Sequence, residues 1–493
     1  MARFIHLAAL ICLTAATVAA QSVSVYETTP DLHKALTPGA KLKFAEHSKA
    51  LESLPVINID DARPFQQMDG FGASLTDSAA WLFDKKLGAA QTDAAFKMLF
   101  DRKDGIALNI LRQPVGSSDL AVTFYSFDDL CQQGAKACTT PPGLTDTKLE
   151  HFSVAHDQEY ILPLLKKALA VNPEIHVMLT PWSAPGWMKT TGSMLGAKAE
   201  TKEASALVPD FYPAFATYLV KTIQAYQAAG VPVWALSVQN EPLFAPPTYS
   251  GMQMLPAEQA KFFGQALAPA LSEAHLSPIV MAYDHNWDHP EYPETVLKDP
   301  RAVLLAAGTA WHHYGGDPSV MTTFHERFPQ KDQWVTESSG GTWQKGLDGK
   351  GNILAEEAAE LIAVARNWSK SYVLWALATD QNHGPVVGGC DTCRGLITID
   401  SSDPAKVTFK PELDFYVLGH ASKFLYPGAI RIASDEPANG AVKDVAFRNR
   451  NGTIVLYALN EGTADQEVRI RFHGKTVVGN LGAGSVTTLE WKP

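Results

Sequence analysis

Long apolar runs are almost absent from this chain. Outside residues 4–18 no stretch reaches the ~20 residues that a membrane-spanning helix needs, so stable membrane insertion is not expected. No block of Lys and Arg occurs, and the formal net charge is −11, which argues against nucleic acid and anionic membrane as partners. Internal repeats, low-complexity segments and an HExxH zinc motif are missing too. Cysteine is scarce, with 5 in 493 residues, and two zinc-type ligand pairs cannot be assembled from them. What remains is an ordinary globular composition, 46% hydrophobic and 19% charged, with ample material for a core.

The one apolar run sits at the N-terminus. Arg3 precedes it, and Val18-Ala19-Ala20 fits a cleavage site before Gln21. Residues 1–20 are therefore expected to be a signal peptide, and the mature chain to be secreted, periplasmic or extracellular. Cys12 would leave with the signal, and the residues before it do not form a lipoprotein box. Four cysteines then remain in two local pairs, Cys131/Cys138 and Cys390/Cys393. An even count in an exported chain favours disulfides. The rival for Cys390-x-x-Cys393 is zinc or redox chemistry, but a zinc site needs a second ligand pair with the right spacing.

Strand-like and helical stretches alternate over most of the length. Apolar strand runs occur at residues 71–74, 106–111, 175–180, 231–238, 278–283, 307–314, 333–337 and 372–377. Helical patterns lie between most of them, for example at 211–229, 257–274 and 355–368. Eight strand–helix alternations predict an α/β fold, a (β/α)₈ TIM barrel over residues 66–415. The last part changes character. Residues 445–448 and 453–457 flank Asn451-Gly452, the signature of a hairpin turn, and residues 468–472 alternate cleanly. Residues 416–493 are thus expected to form an all-β sandwich, which strands in 21–65 could complete.

In such barrels chemistry gathers at the C-terminal ends of the strands. The polar residues found there are Arg112 and Asp119 after strand 2, and Trp182 to Trp187 after strand 3. Asn240-Glu241 follows strand 4, and His312-His313-Tyr314 strand 6. Glu337 ends strand 7, and Trp375 and Asp380 belong to strand 8. Two glutamates at the ends of strands 4 and 7 would face each other across the barrel mouth. Glycoside cleavage needs such a pair: one carboxylic acid protonates the leaving oxygen, and one carboxylate stabilises or attacks the oxocarbenium-like carbon. An Asn beside one of them can bond the sugar 2-OH. The 11 Trp and 14 Tyr supply flat faces that suit sugar rings, although large proteins also use such residues in their cores. Residues 284–289, Asp-His-Asn-Trp-Asp-His, could suggest a metal site; without helical ligand spacing they read as a polar loop at the substrate rim.

Five ordered motifs carry a family resemblance. Asp69-Gly-Phe-Gly-Ala-Ser-Leu-Thr-Asp77, Leu111-Arg-Gln-Pro-Val-Gly116, Pro181-Trp-Ser-Ala-Pro-Gly-Trp-Met-Lys189, Ser237-Val-Gln-Asn-Glu-Pro242 and Trp334-Val-Thr-Glu-Ser338 resemble glycoside hydrolase family 30. The resemblance runs from about Asp69 to the C-terminus. It is strongest to the branch containing lysosomal glucosylceramidase and the endo-β-1,6-glucanases. It implies a barrel with an attached β-sandwich, retention of configuration, and no metal or other cofactor. By the same resemblance Glu241 is the acid/base and Glu337 the nucleophile, and Asn240 contacts the 2-OH. Arg112, Asp119, Trp182, His312, Tyr314 and Trp375 form the rest of the sugar wall. His313 and Asp380 depart from the glucosylceramidase, which has Trp and Asn there; both are expected near the rim, with Asp380 counted among the substrate-binding residues.

These readings converge on a retaining β-glycoside hydrolase acting on β-glucosidic bonds, with a glucosylceramidase-like β-glucosidase in front of an endo-β-1,6-glucanase or a β-xylosidase. The partner is then a β-glucoside or β-glucan. A metallo-hydrolase built on the His/Asp cluster and a non-catalytic carbohydrate-binding protein are the rivals from other classes. Retention predicts carboxyl groups about 5–5.5 Å apart. The acid must start protonated, so a raised pKa is expected at Glu241.

Overall fold

The computed structural model describes residues 21–493 apart from 47, 132–137, 199–200, 347–350 and 438–439. Residues 1–20, expected above to be a signal peptide, lie outside the described residues.

Eight strands close into a barrel: β1 (Gly70–Ser74), β2 (Ile110–Val115), β3 (His176–Pro181), β4 (Val233–Ser237), β5 (Ile279–Asn286), β6 (Ala306–His312), β7 (Asp332–Ser338) and β8 (Ser369–Leu374). Every pairing is parallel, and β8 returns to β1 from Ser371↔Gly70 to Leu374↔Ala73. Parallel neighbours need crossovers, and helices provide most of them. Tyr212–Ala228 joins β3 to β4, and its buried Phe215, Leu219, Ile223 and Tyr226 follow the spacing of one helical face. Ile353–Arg366 joins β7 to β8 in the same way. The closure is tight at β1, where a side chain at Gly72 would fall onto the Ile110 carbonyl of β2.

Two strands are displaced from their apolar runs. Residues 106–108 are not strand. Ala107 has φ +56°, and Ile106 and Leu108 donate their amides to Met98 and Leu99 on the helix Ala89–Phe100. The run is apolar because it packs on that helix, and the strand begins at Ile110. Strand β8 stops at Leu374 rather than 377. Trp375 donates its amide to the Ser338 carbonyl, and Ala376–Asp380 leaves the barrel to pair with Gly395–Asp400. The helix expected at 257–274 is continuous, with a π turn at Phe263–Leu267 between Pro256–Phe262 and Ala268–Glu273.

The second unit is all β. Its strands join in one order that includes Ser22–Thr28, Val56–Gln67 and the segments from Ile430 to Trp491. Ser22–Thr28 lies antiparallel to Val486–Trp491, and Val442–Arg448 and Ile454–Asn460 form the hairpin. The twelve-residue strand Val56–Gln67 bridges two layers, antiparallel to Ile430–Ser434 and parallel to Gln466–Phe472. One core, including Ile57, Leu456, Ile470 and Trp491, fills the space between the layers. The opposite face, with Val445, Phe447, Val455 and Tyr457, belongs to the same apolar cluster as the barrel helices. The helix Leu413–Ser422 runs across residue 415 and joins the two units: His420, fully buried, bonds Thr28 and Thr488 of the sandwich.

Both remaining cysteine pairs are bonded, with Cα atoms 5.2 Å apart for Cys131–Cys138 and 5.6 Å for Cys390–Cys393. No helix among the described residues is long and apolar enough to cross a membrane.

Candidate active site

A cleft of about 350 Å³ opens at the C-terminal ends of the barrel strands. Asp119, Trp182, Asn240, Glu241, His285, Tyr314, Glu337 and Trp375 line it. Parallel strands all deliver their last side chains to this face, which is why residues far apart in sequence meet here.

The two glutamates sit opposite each other in different surroundings. One oxygen of each lies within 4.8 Å of the other and of a His312 ring nitrogen. Glu337 accepts from the Arg112 guanidinium at 2.5 Å and from the Tyr314 hydroxyl at 3.0 Å. Arg112 is fully buried and spends its other terminal nitrogen on Asn240 Oδ1 at 2.7 Å and Asp284 Oδ2 at 3.0 Å. With its oxygen committed to Arg112, Asn240 keeps its NH₂ as the group able to donate to a ligand. Glu241 Oε1 instead meets His312 Nδ1 at 3.1 Å, and His312 Nε2 meets Asp284 Oδ1 at 3.0 Å. Thr336 donates a further bond to Asp284 at 2.6 Å.

The charges follow from this wiring. Burial pushes the Asp284 carboxyl up, but Arg112, His312 and Thr336 outweigh it and hold the group far below the carboxylate range. Burial works against a charged His312, yet Glu337 and the bonds to Asp284 and Glu241 push it up to about 9. At Glu241 burial again raises the carboxyl. The hydrogen bond and charge of His312, with His285 and Arg112 behind them, reverse this, and the net displacement is downward. The expected upward shift at Glu241 is therefore corrected for the free protein: the displacement is downward, because the His312 imidazole lies against the carboxylate.

Strained backbone holds the constellation. Glu241, Tyr283 and Asp284 have φ of +45°, +75° and +71°, a region that costs side-chain-bearing residues of order 1–3 kcal/mol each. The Glu241 amide is pinned to the Asp284 carbonyl at 2.9 Å. The register of β5 against β6 slips between Tyr283 and His285. Adjacent residues Asp284 and His285 consequently both reach the site, which the alternation of a regular strand would forbid.

Several expectations change in place. Arg112 and His312 do not form the sugar wall; both are fully buried behind the carboxylates they orient. His313 is turned away from the cleft and pairs with Glu360 at 2.6 Å, because the residue after inward-facing His312 points outward. Asp380 does not line the cleft: its carboxylate accepts the amides of Asn382 and Gly384 in its own turn and faces a second cavity with Arg394 and Glu412. The 284–289 stretch is not a rim loop at its start, since Asp284 and His285 belong to β5 and Asp284 is fully buried. The strand-end rule applied to the run 278–283 could have found Asp284. Tyr249, Phe244 and Trp343 also line the cleft, and they come from loops that carry no periodic signal.

The walls are aromatic. Trp182 and Trp375 stack at 4.8 Å, and the Arg112 guanidinium lies 4.8 Å from the Trp182 ring. Tyr314, Trp343 and Phe244 stand at the mouth with 43%, 46% and 48% of their surface exposed. Glu241, His312 and Glu337 are close enough for a metal, but both His312 nitrogens are already engaged by carboxylates. A second grouping, Asp129 with Cys131 and Cys138, has its sulfurs in a disulfide and offers no thiolate.

Comparison with known proteins agrees with this architecture. The chain is 30% identical over 459 residues to the endo-1,6-β-D-glucanase neg1 of Aspergillus fumigatus, covering 89% of this chain and 88% of that one. It is 27% identical over 462 residues to the mouse lysosomal acid glucosylceramidase, covering 89% and 83%. The solved structure of the endo-β-1,6-glucanase BT3312 superposes with a TM-score of 0.83 at 30% identity, over 96% of this chain and 99% of that one. The model of the glycosyl hydrolase family 30 TIM-barrel domain matches residues 68–425, and that of the family 30 β-sandwich domain matches residues 428–489. The chain belongs to glycosyl hydrolase family 30 and is a glycoside hydrolase.

Proposed function

We propose that the enzyme cleaves β-glucosidic bonds by double displacement, with Glu337 as nucleophile and Glu241 as acid/base. The observation that carries this is that one oxygen of each carboxylate lies within 4.8 Å of the other, an approach that suits the ~5–5.5 Å carboxyl spacing of a retaining pair better than the ~6.5–9.5 Å of an inverting one. Their surroundings divide the labour. Arg112 and Tyr314 orient Glu337 toward the anomeric carbon and keep its charge satisfied. Glu241 draws on a proton carried by His312 Nδ1, the nitrogen 3.1 Å from its carboxylate. An arriving sugar expels water, and a dry cleft favours the neutral pair over the charged one, which moves that proton to Glu241 for delivery to the leaving oxygen. After glycosylation Glu337 no longer carries charge, and Glu241 can take a proton from the attacking water. Asn240 donates to the 2-OH, and Asp119, Trp182 and Trp375 hold the ring.

The half-exposed rings at the mouth and the relatedness to endo-1,6-β-glucanases favour a β-1,6-glucan as the natural substrate. Relatedness to a glucosylceramidase supports the second reading, a β-glucosidase acting on glucosylceramide or small glucosides. We assign the chain to the secreted proteins, on the N-terminal apolar run and the two bonded cysteine pairs.

Hydrolysis of β-1,6-glucan, glucosylceramide, aryl β-glucosides and aryl β-xylosides, with the first-formed anomer read by NMR, tests the proposal. A β-anomer from a β-glucoside is expected. An initial α-anomer, or activity on xylosides alone, would overturn it.

A further inference from the structure

The loop after Asp380 contributes two residues to the cleft that the chemistry above does not use, Cys390 and Cys393. Their bond closes a ring of only four residues. The ring touches several parts of the site at once. Cys390 donates its amide to Asp119 Oδ2 at 3.2 Å, and Val387 donates its amide to the Asp119 carbonyl at 2.9 Å. Gly389 lies so close that a side chain there would fall onto the Asp119 Cβ. On its other side the ring is tied to the segment that follows Glu337: Thr342 N–H donates to the Thr392 carbonyl at 3.1 Å, and Arg394 N–H to the Gly340 carbonyl at 2.9 Å. Cys393 packs in one buried cluster with Leu120, Trp182 and Trp375.

Asp119 is held by backbone amides, those of Cys390 and Leu120 and its own. It is buried, and among the described residues no Lys, Arg or His pairs with it. Burial and the charge of Glu337 push its carboxyl up to about 7, and the Cys390 amide is the first of the backbone donors that pull the other way. An amide on a carboxylate is useful only while the backbone bearing it is held in place, and a short covalent ring does that.

We propose that the Cys390–Cys393 ring is a positioning element for sugar binding, which holds the Asp119 carboxylate in its orientation toward the glycone. It acts on affinity and not on bond cleavage, because it touches neither glutamate. The inference rests on the proposed role of the cleft as a glucoside site with Asp119 in its wall.

The test compares Cys390→Ser/Cys393→Ser with Cys131→Ser/Cys138→Ser on an aryl β-glucoside, each in the native and the Asp119→Ala background. Loss of the ring should raise KM about tenfold, the scale of one hydrogen bond to a charged group, with kcat within about twofold. The Ki of glucose should rise in parallel. In the Asp119→Ala background the same loss should leave kcat/KM unchanged, and the Cys131/Cys138 variant should show no KM effect. If the ring variant does not fold, dithiothreitol added to the folded Cys131→Ser/Cys138→Ser enzyme, with alkylated thiols counted by mass spectrometry, gives the same readout, and reoxidation should restore KM. An unchanged KM with two free thiols, or an effect that persists undiminished in the Asp119→Ala background, would overturn the proposal. Absence of activity on every β-glucoside in the unsubstituted enzyme would instead defeat the functional reading beneath it.

Discussion

With Glu337 as the proposed nucleophile, removing its carboxylate leaves the sugar with no group to bond, so Glu337→Ala should lose about 10³-fold or more of kcat on every substrate. Glu241→Ala should fail differently. A leaving group as good as dinitrophenolate needs no proton, so glycosylation should continue and deglycosylation should limit the rate. Azide, which needs no base, should then accelerate turnover and yield a β-glucosyl azide; with Glu337→Ala it should attack the vacated face and yield the α product. The same anomer from both variants would reverse the assignment. His312 carries a second prediction at this scale. Its pKa is raised above the 6.5 of an unfolded histidine to about 9, so its contribution to stability is complete below pH 6.5 and is lost as pH rises through 9. Denaturant midpoints should decline over that interval, and the decline should flatten in His312→Gln. Since both His312 nitrogens are committed to carboxylates, activity should also survive exhaustive dialysis against EDTA. A loss restored by zinc or calcium would revive the metal reading. The glutamates could be read from the sequence because each ends an apolar run, and the same logic reached Arg112 and His312. That these two sit behind the carboxylates, and that His312 pulls the Glu241 carboxyl downward, depends on distances of a few ångströms that no spacing encodes.

At the scale of elements the loops above β3 and β4 are clasped by one buried lysine. Lys189 donates to Ser183 Oγ and to the carbonyls of Met194, Leu195 and Gly251, at 2.6–3.0 Å. Met194 O keeps the Gly251 amide and Ser183 Oγ its bond to the Ala184 carbonyl, so Lys189→Met would strand chiefly the Leu195 and Gly251 carbonyls, at about 1–3 kcal/mol each before relaxation. A net loss of about 3 kcal/mol in the denaturant-extrapolated stability is expected. An unaltered midpoint would show that the loops hold themselves. Element type was readable throughout the barrel, since parallel strands buried on both faces and helices with one apolar face have distinct patterns. Element ends were less so. Residues 106–108 are as apolar as a strand, but their burial comes from the neighbouring helix and not from a ladder.

For the whole molecule, barrel and sandwich are joined by shared core and by buried polar contacts. Gln66 bonds the carbonyls of Ala365 and Ser369 and accepts from Arg431, and Arg366 reaches the carbonyls of Ser434 and Asp444. The apolar cluster runs without interruption from barrel helices to sandwich strands. Two domains joined in this way should unfold together. Calorimetry should therefore give one transition, and a chain ending at residue 425 should not fold alone. Two resolved transitions would show that the sandwich is an independent module.

Periodicity, strand-end chemistry and five ordered motifs were enough to reach the barrel, the sandwich, the facing glutamates and the family, because each is signalled by a local pattern, a strand end, a turn or a short motif, repeated along the chain. The partnership of Asp284 with His312, the retreat of His313 and Asp380 from the cleft, and the grip of residue 390 on residue 119 were not accessible in that way. A slipped register at Tyr283, an outward turn after His312 and a loop folded back over 271 residues decide them. Such features are set by packing between distant segments, and side-chain direction at a strand end reverses with a shift of one residue.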